Sequence, residues 1–68
     1  MIEAIVSRRH GKTGRTSAGV HNFQFLPQIG HIVEIIEPPI WGRVVEIIHS
    51  SSKMMQQTEL VIVEEELD

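Results

Sequence analysis

The sequence contains no cysteine and no tyrosine, and it has only one tryptophan and two phenylalanines. Without cysteine, the chain can form neither a disulfide nor a thiolate metal site. A chain of 68 residues buries only about 60% of the surface that it exposes when unfolded. Stability must therefore come from good strand pairing or from association with another chain. The lack of cysteine is also typical of a reducing compartment, and we expect a cytoplasmic protein.

Long apolar runs are also missing, and none approaches the length that a membrane span needs. The short apolar start is followed by Arg8, Arg9, Lys12 and Arg15 with no long apolar stretch after them. This order is not that of a secretory signal peptide. We therefore expect no membrane partner.

The net charge of −3 conceals an uneven distribution along the chain. Residues 1–30 carry four basic side chains and one acidic one, whereas residues 31–68 carry two basic and eight acidic ones. A nucleic-acid-binding protein that is basic throughout is therefore not indicated. Within a single domain of residues 1–68, the segment 8–19 (RRHGKTGRTSAG) is predicted to be a flexible basic loop. Residues 64–68 are predicted to be an acidic tail.

Five short segments have the composition of β-strands, with β-branched residues and partial alternation of apolar and polar side chains. They cover residues 2–7, 20–26, 31–37, 43–49 and 58–65. Glycine, proline and serine fall between them, where turns are expected. The pattern predicts an all-β fold, which is either a small five-stranded barrel or a strongly bent antiparallel sheet.

A short echo in the sequence predicts a hairpin, since IVEII at 32–36 recurs as VVEII at 44–48 around the turn EPPIW. Side chains alternate across a strand, so each arm has two faces. The face expected in the core holds Val33, Ile35, Val45 and Ile47. The opposite face is the predicted protein interface and holds Ile32, Glu34, Ile36, Val44, Glu46 and Ile48.

Two alternatives explain this second apolar face. Either the first loop or the acidic tail folds over it, or it packs on another protein or a second copy of the chain. The sequence favours a non-enzymatic accessory protein that acts through protein–protein contacts, with a homodimer as one form.

The hairpin resembles the SH3-like small barrels of the KOW type. Those barrels have a glycine before a β-branched strand, then a turn with proline and an aromatic residue, then glycine and a second β-branched strand. The matching residues are Gly30, 32–36, Pro39, Trp41, Gly42 and 44–48. His31 stands where the pattern usually has aspartate. The stretch FLPQIGHIVEI is also similar to the LPRVGD opening of small uncharacterised bacterial and phage proteins. The resemblance implies a fold more than an activity, because such barrels host many functions.

The segment HGKTG has the last residues of a phosphate-binding loop but not the first. That motif requires glycine five positions before Gly11, and the residue there is Val6. What remains is a group of cations that either stays solvated or meets an anion. The alternative function is therefore a nucleic-acid-contacting module. Its predicted contacts are Arg8, Arg9, Lys12, Arg15 and Arg43.

The four histidines do not have the spacing of a local zinc motif. His10, His21, His31 and His49 are better explained as hydrogen-bonded or half-buried side chains than as metal ligands. No nucleophile, base and orienting group stand in a recognisable pattern. The sequence therefore predicts no enzyme, no catalytic residue, no metal and no cofactor.

Overall fold

A computed structural model describes residues 1–37, 39–52 and 55–65. The strands are β1 (Ile2–His10), β2 (Gly14–Phe23), β3 (Ile32–Ile35), β4 (Ile40–Ser51) and β5 (Gln56–Glu64). They form one sheet in the order β2-β1-β5-β4-β3, which curls through 229° into a half-barrel. The prediction of a small five-stranded barrel or bent sheet is confirmed. The sheet is mixed rather than wholly antiparallel, because β1 and β5 run parallel.

The segment 8–19 is not a flexible loop, and that prediction is wrong. Its residues belong to β1 and β2 except for a turn at residues 11–13. Arg8, Arg9 and His10 pair in register with Thr16, Arg15 and Gly14. The glycines and Ala18 have weak strand preference of their own, but antiparallel pairing with β1 overrides it. Gly11 has a φ of 64°, which glycine adopts without strain and which tightens the turn.

Two bulges change the alternation of side chains along the strands. In β4, Val44 pairs with Ile62 and Glu46 pairs with Val61, so Val45 is an extra residue. In β2, the step from Ser17 to Val20 faces a shorter step on β1, which places an extra residue at 18–19. Each bulge shifts the following side chains by one position relative to the faces of the sheet.

The core lies on the concave face of the curled sheet. Its buried apolar residues are Ala4, Val6, Val33, Ile35, Ile40, Val44, Leu60 and Ile62, and Ala18, Phe23, Leu26 and Ile47 pack against them. The placement of Val33, Ile35 and Ile47 on the core side is confirmed, whereas Val45 is half-buried at the bulge and is not part of the core cluster. The placement of Val44 on the outer face is wrong, since Val44 is 1% exposed. The bulge at Val45 is the reason, because it moves Val44 onto the inward side.

The two edges of the sheet differ in length. The strand β2 has ten residues, whereas β3 has four. Residues 24–31 connect these edges, and backbone hydrogen bonds fix the end of the connection on β4. The Gly30 N–H donates to the Val44 carbonyl at 2.9 Å, and the Val44 N–H donates to the His31 carbonyl at 2.9 Å.

The predicted acidic tail begins within the sheet. Glu64 is the last residue of β5, and the Glu65 N–H donates to the Trp41 carbonyl at 3.0 Å. Residues 66–68 lie outside the described part of the chain, as does Pro38 of the turn between β3 and β4.

Candidate protein-binding surface

The four arginines that are predicted to contact an anion form ion pairs with carboxylates of the same chain. Three of the pairs are Arg8–Glu64 at 3.0 Å, Arg9–Glu46 at 2.9 Å and Arg15–Glu59 at 3.4 Å. The fourth is Arg43–Glu65 at 2.7 Å. The fifth predicted residue, Lys12, lies exposed in the turn of the β1–β2 hairpin. The predicted cationic cluster is therefore largely neutralised within the fold.

One of these ion pairs crosses the convex face above β5. Arg9 belongs to β1 and Glu46 to β4, and β5 lies between these two strands. Glu46 is the direct partner of Val61, which points to the convex side and is nevertheless 0% exposed. The aliphatic stem of an arginine can cover apolar surface while its guanidinium stays in contact with water. The Arg9 side chain of β1 thus reaches Glu46 of β4 across the outer side of β5.

The predicted interface residues do not form one patch. Glu34 lies opposite Trp41 on β3 and β4, and Ile36 lies in the turn that follows β3. Ile40 of β4 pairs with Ile35, the neighbour of Ile36. Ile48 lies eight residues further along β4, about 26 Å from Ile40 at 3.3 Å per residue. The remaining residues are Ile32, opposite Arg43, and Glu46, opposite Val61. Val44 is in the core and cannot take part.

A different set of aliphatic residues lies in one row on the convex face. Val20 pairs with Ile5, Ile5 pairs with Glu59, and Glu59 pairs with Ile48. We call Val20, Ile5 and Ile48 the convex strip; it runs across β2, β1, β5 and β4. Val20 is 56% exposed, and the other two side chains are half-buried. The sequence pointed to Ile48 but not to Val20 or Ile5, because these two join the row of Ile48 only through the parallel pairing of β1 with β5.

A shallow pocket of about 140 Å³ adjoins one end of the convex strip. Its lining residues are Glu3, Ile5, Val20, Met55, Gln56, Gln57 and Thr58. Met55 is 55% exposed, so it adds apolar surface beside Ile5 and Val20. The pocket adds Met55 to the apolar surface of Val20 and Ile5, whereas Glu59 lies between Ile5 and Ile48 in the strip.

Three of the four histidines take part in local hydrogen bonds. The Nε2 atom of His21 lies 2.8 Å from the Ala18 carbonyl oxygen, and Nδ1 of His31 accepts from the Gln28 N–H at 3.1 Å. Nδ1 of His49 lies 3.4 Å from the Thr58 hydroxyl. Within residues 1–37, 39–52 and 55–65, no three His, Cys, Asp or Glu side chains converge as metal ligands would. These histidines are placed to support turns and strands.

The chain matches no protein-family model, and no curated protein or solved structure shows significant similarity to it. The part of the chain described by the structure has no helix with the length and hydropathy of a membrane span. The features that bear on function are therefore the geometry of the convex face and of the sheet edges.

Proposed function

We propose that this chain is a non-enzymatic interaction module whose convex strip contacts another protein. The observation that carries the proposal is the row formed by Val20, Ile5 and Ile48. Three aliphatic side chains that remain partly accessible in one row, extended by Met55, offer apolar area that a protein partner can remove from water. The polar border of the neighbouring pocket adds hydrogen-bonding groups, which fits the composition of a protein interface.

The state of the arginines disfavours the nucleic-acid alternative. A phosphate contact by Arg9 or Arg15 requires release of Glu46 or Glu59, which then remains as a negative charge beside the phosphate. Affinity for nucleic acid arises mainly from cations that neutralise phosphates. Four arginine–glutamate pairs distributed over both faces supply little net positive field for that purpose.

The proposal can be tested by site-specific photo-crosslinking in cells that naturally produce the protein. Benzoylphenylalanine replaces Ile48 in one variant and Ile36 in a matched control. Both positions are isoleucines, but Ile36 lies off the strip and is 74% exposed. We expect irradiation to give a discrete protein adduct from position 48 and none from position 36. Circular dichroism of each purified variant confirms that the sheet is intact.

The mass and chemistry of the adduct separate the possible partners. An adduct of twice the chain mass identifies a second copy, and another discrete mass identifies a different protein. Both results support the proposal. An adduct that nuclease treatment removes supports the nucleic-acid alternative instead. Equal crosslinking from both positions, or none from position 48 in a folded variant, contradicts the proposed role of the strip.

A further inference from the structure

The outer side of β2 is an open sheet edge. It has ten residues, and in the described part of the chain no strand pairs with its outer side. An open edge presents unpaired N–H and C=O groups to any strand that can approach. The opposite edge, β3, offers only four residues, so β2 is the better template.

The edge strand β2 has few of the features that prevent an edge strand from pairing with a strand of another molecule. Proline and lysine are absent from Gly14–Phe23, and the one formal charge belongs to Arg15, whose Nε is 3.4 Å from Glu59. The first six residues, GRTSAG, are small apart from this arginine. A second backbone can therefore approach closely. The bulge at 18–19 is the one protective device present, because a bulge interrupts a regular ladder.

The bulge also selects the register in which β2 can pair with itself. Gly14, Thr16, His21 and Phe23 point to the concave face, and Arg15, Ser17, Val20 and Asn22 point to the convex face, as their partners on β1 show. Residues that oppose each other in a sheet must point to the same face. Antiparallel self-pairing over the full strand places Ser17 opposite Val20 and Arg15 opposite Asn22, which satisfies this condition. The two bulges then face each other, so neither displaces the flanking pairs.

This register also brings complementary charges together. Asn22 pairs with Glu3 on β1, and Glu3 has no ion-pair partner among the residues that the structure describes. In the self-paired sheet, one strand separates Arg15 of one protomer from Glu3 of the partner subunit. Arg15 then exchanges one exposed carboxylate for another, because its Nε lies 3.4 Å from Glu59 of its own chain before pairing. Arg9 and Glu46 show that this reach is possible, since they meet at 2.9 Å across β5. Two such contacts form, one on each side of the symmetry axis.

We propose that two copies of this chain associate through antiparallel pairing of their β2 edges, with Arg15 of each protomer forming an ion pair with Glu3 of the partner subunit. The two-fold axis passes between Ala18 and Gly19, and a continuous ten-stranded sheet results. The inference builds on the proposed function by naming one protein partner, a second copy. It uses the β2 edge, however, whereas Ile48 of the convex strip lies three strands away.

A complementary charge exchange tests the pairing. Sedimentation equilibrium of the full chain, from 10 μM to about 1 mM and at low salt, measures the dimer dissociation constant. We expect E3R alone and R15E alone to weaken self-association by at least about tenfold, because each places like charges in contact. An equimolar mixture of the two variants restores both contacts, and we expect it to form heterodimers with nearly the original affinity. E34R changes the same charge on the distant β3 edge and is the control, with no expected effect.

A second measurement fixes the register and applies even where a charge variant fails to fold. The chain has no cysteine, so S17C and V20C each introduce the only thiol. We expect oxidation of a mixture to give the 17–20 disulfide between protomers faster than either symmetric disulfide. A chain that stays monomeric at 1 mM overturns the inference. So does a dimer whose affinity is indifferent to the charge exchange, or one that forms symmetric disulfides equally fast. Position-specific crosslinking at Ile48 can still succeed in those cases, so failure of the dimer leaves the convex strip to be judged by its own test.

Discussion

The two faces of the curled sheet exclude water by different means, and β5 shows both at adjacent residues. Leu60 and Ile62 are 0% exposed on the concave face, among other aliphatic side chains. Val61 is also 0% exposed, but it lies on the convex face beside Glu46 and below the Arg9–Glu46 ion pair. Equal burial therefore conceals two environments. One is close-packed aliphatic core, and the other is a strand covered by charged side chains.

These environments should contribute unequally to stability. The paired side chains of Arg9 and Glu46 remain 31% and 48% exposed, so water screens their attraction. Such pairs contribute about 0–1 kcal/mol each. Burial in the concave core contributes about 0.8 kcal/mol for each methylene group, with a further loss when a cavity remains. The free energy of unfolding should therefore depend mainly on the concave face.

The largest effect is expected for Leu60→Ala on the concave face. Loss of its isopropyl group should lower the free energy of unfolding by about 2–5 kcal/mol, because the packed core cannot close the cavity. A domain of this size has in total only about 3–10 kcal/mol. Val61→Ala is the matched variant on the convex face and should cost about 1.5 kcal/mol at most. Urea unfolding followed by Trp41 fluorescence measures both. If Val61→Ala lowers the free energy of unfolding more per deleted carbon than Leu60→Ala does, the convex face contributes more to stability than the concave core, contrary to this prediction.

A second effect concerns how closely β4 approaches β5 at Gly42. A Cβ atom at this position would lie 2.9 Å from Cδ1 of Ile62 and 2.9 Å from the Val63 carbonyl oxygen. We expect Gly42→Ala to cost about 1–3 kcal/mol through overpacking. Adding Ile62→Val removes Cδ1 but not the backbone oxygen, so it should recover only part of the loss when both variants are unfolded in urea. Full recovery would show that the backbone contact is not limiting.

The sequence predicts the elements of this fold better than the faces of those elements. Five strands and an aliphatic core follow from the β-branched segments and the turn residues between them. The prediction that Val44 lies on the outer face failed because of the bulge at Val45. That bulge depends on the pairing of β4 with β5, and nothing in the local sequence indicates it. At the bulge in β2, the sequence feature is Gly19, which adopts a φ of 96°. The resemblance to KOW-type barrels stays a prediction.

The convex strip and the arginine partners were beyond sequence reasoning for a related reason. Ile5 and Ile48 are 43 positions apart in the sequence, and only the parallel pairing of β1 with β5 places them in one row. Strand composition cannot specify that pairing. The segment 8–19 was misjudged because its glycines suit a loop, whereas its partner β1 holds it in the sheet.

The smallest effect tests the convex cover itself. Glu46→Gln keeps the shape of the side chain but removes the charge that Arg9 meets at 2.9 Å. We expect a loss below about 1 kcal/mol at low salt that disappears at 1 M NaCl, because the pair is solvent-exposed and screened. Glu34→Gln is the control, since Glu34 faces Trp41 rather than a cation, and its effect should not depend on salt. If the Glu46 loss persists at 1 M NaCl, the cover over Val61 works through packing of the Arg9 stem, and the two faces are more alike than their charges suggest.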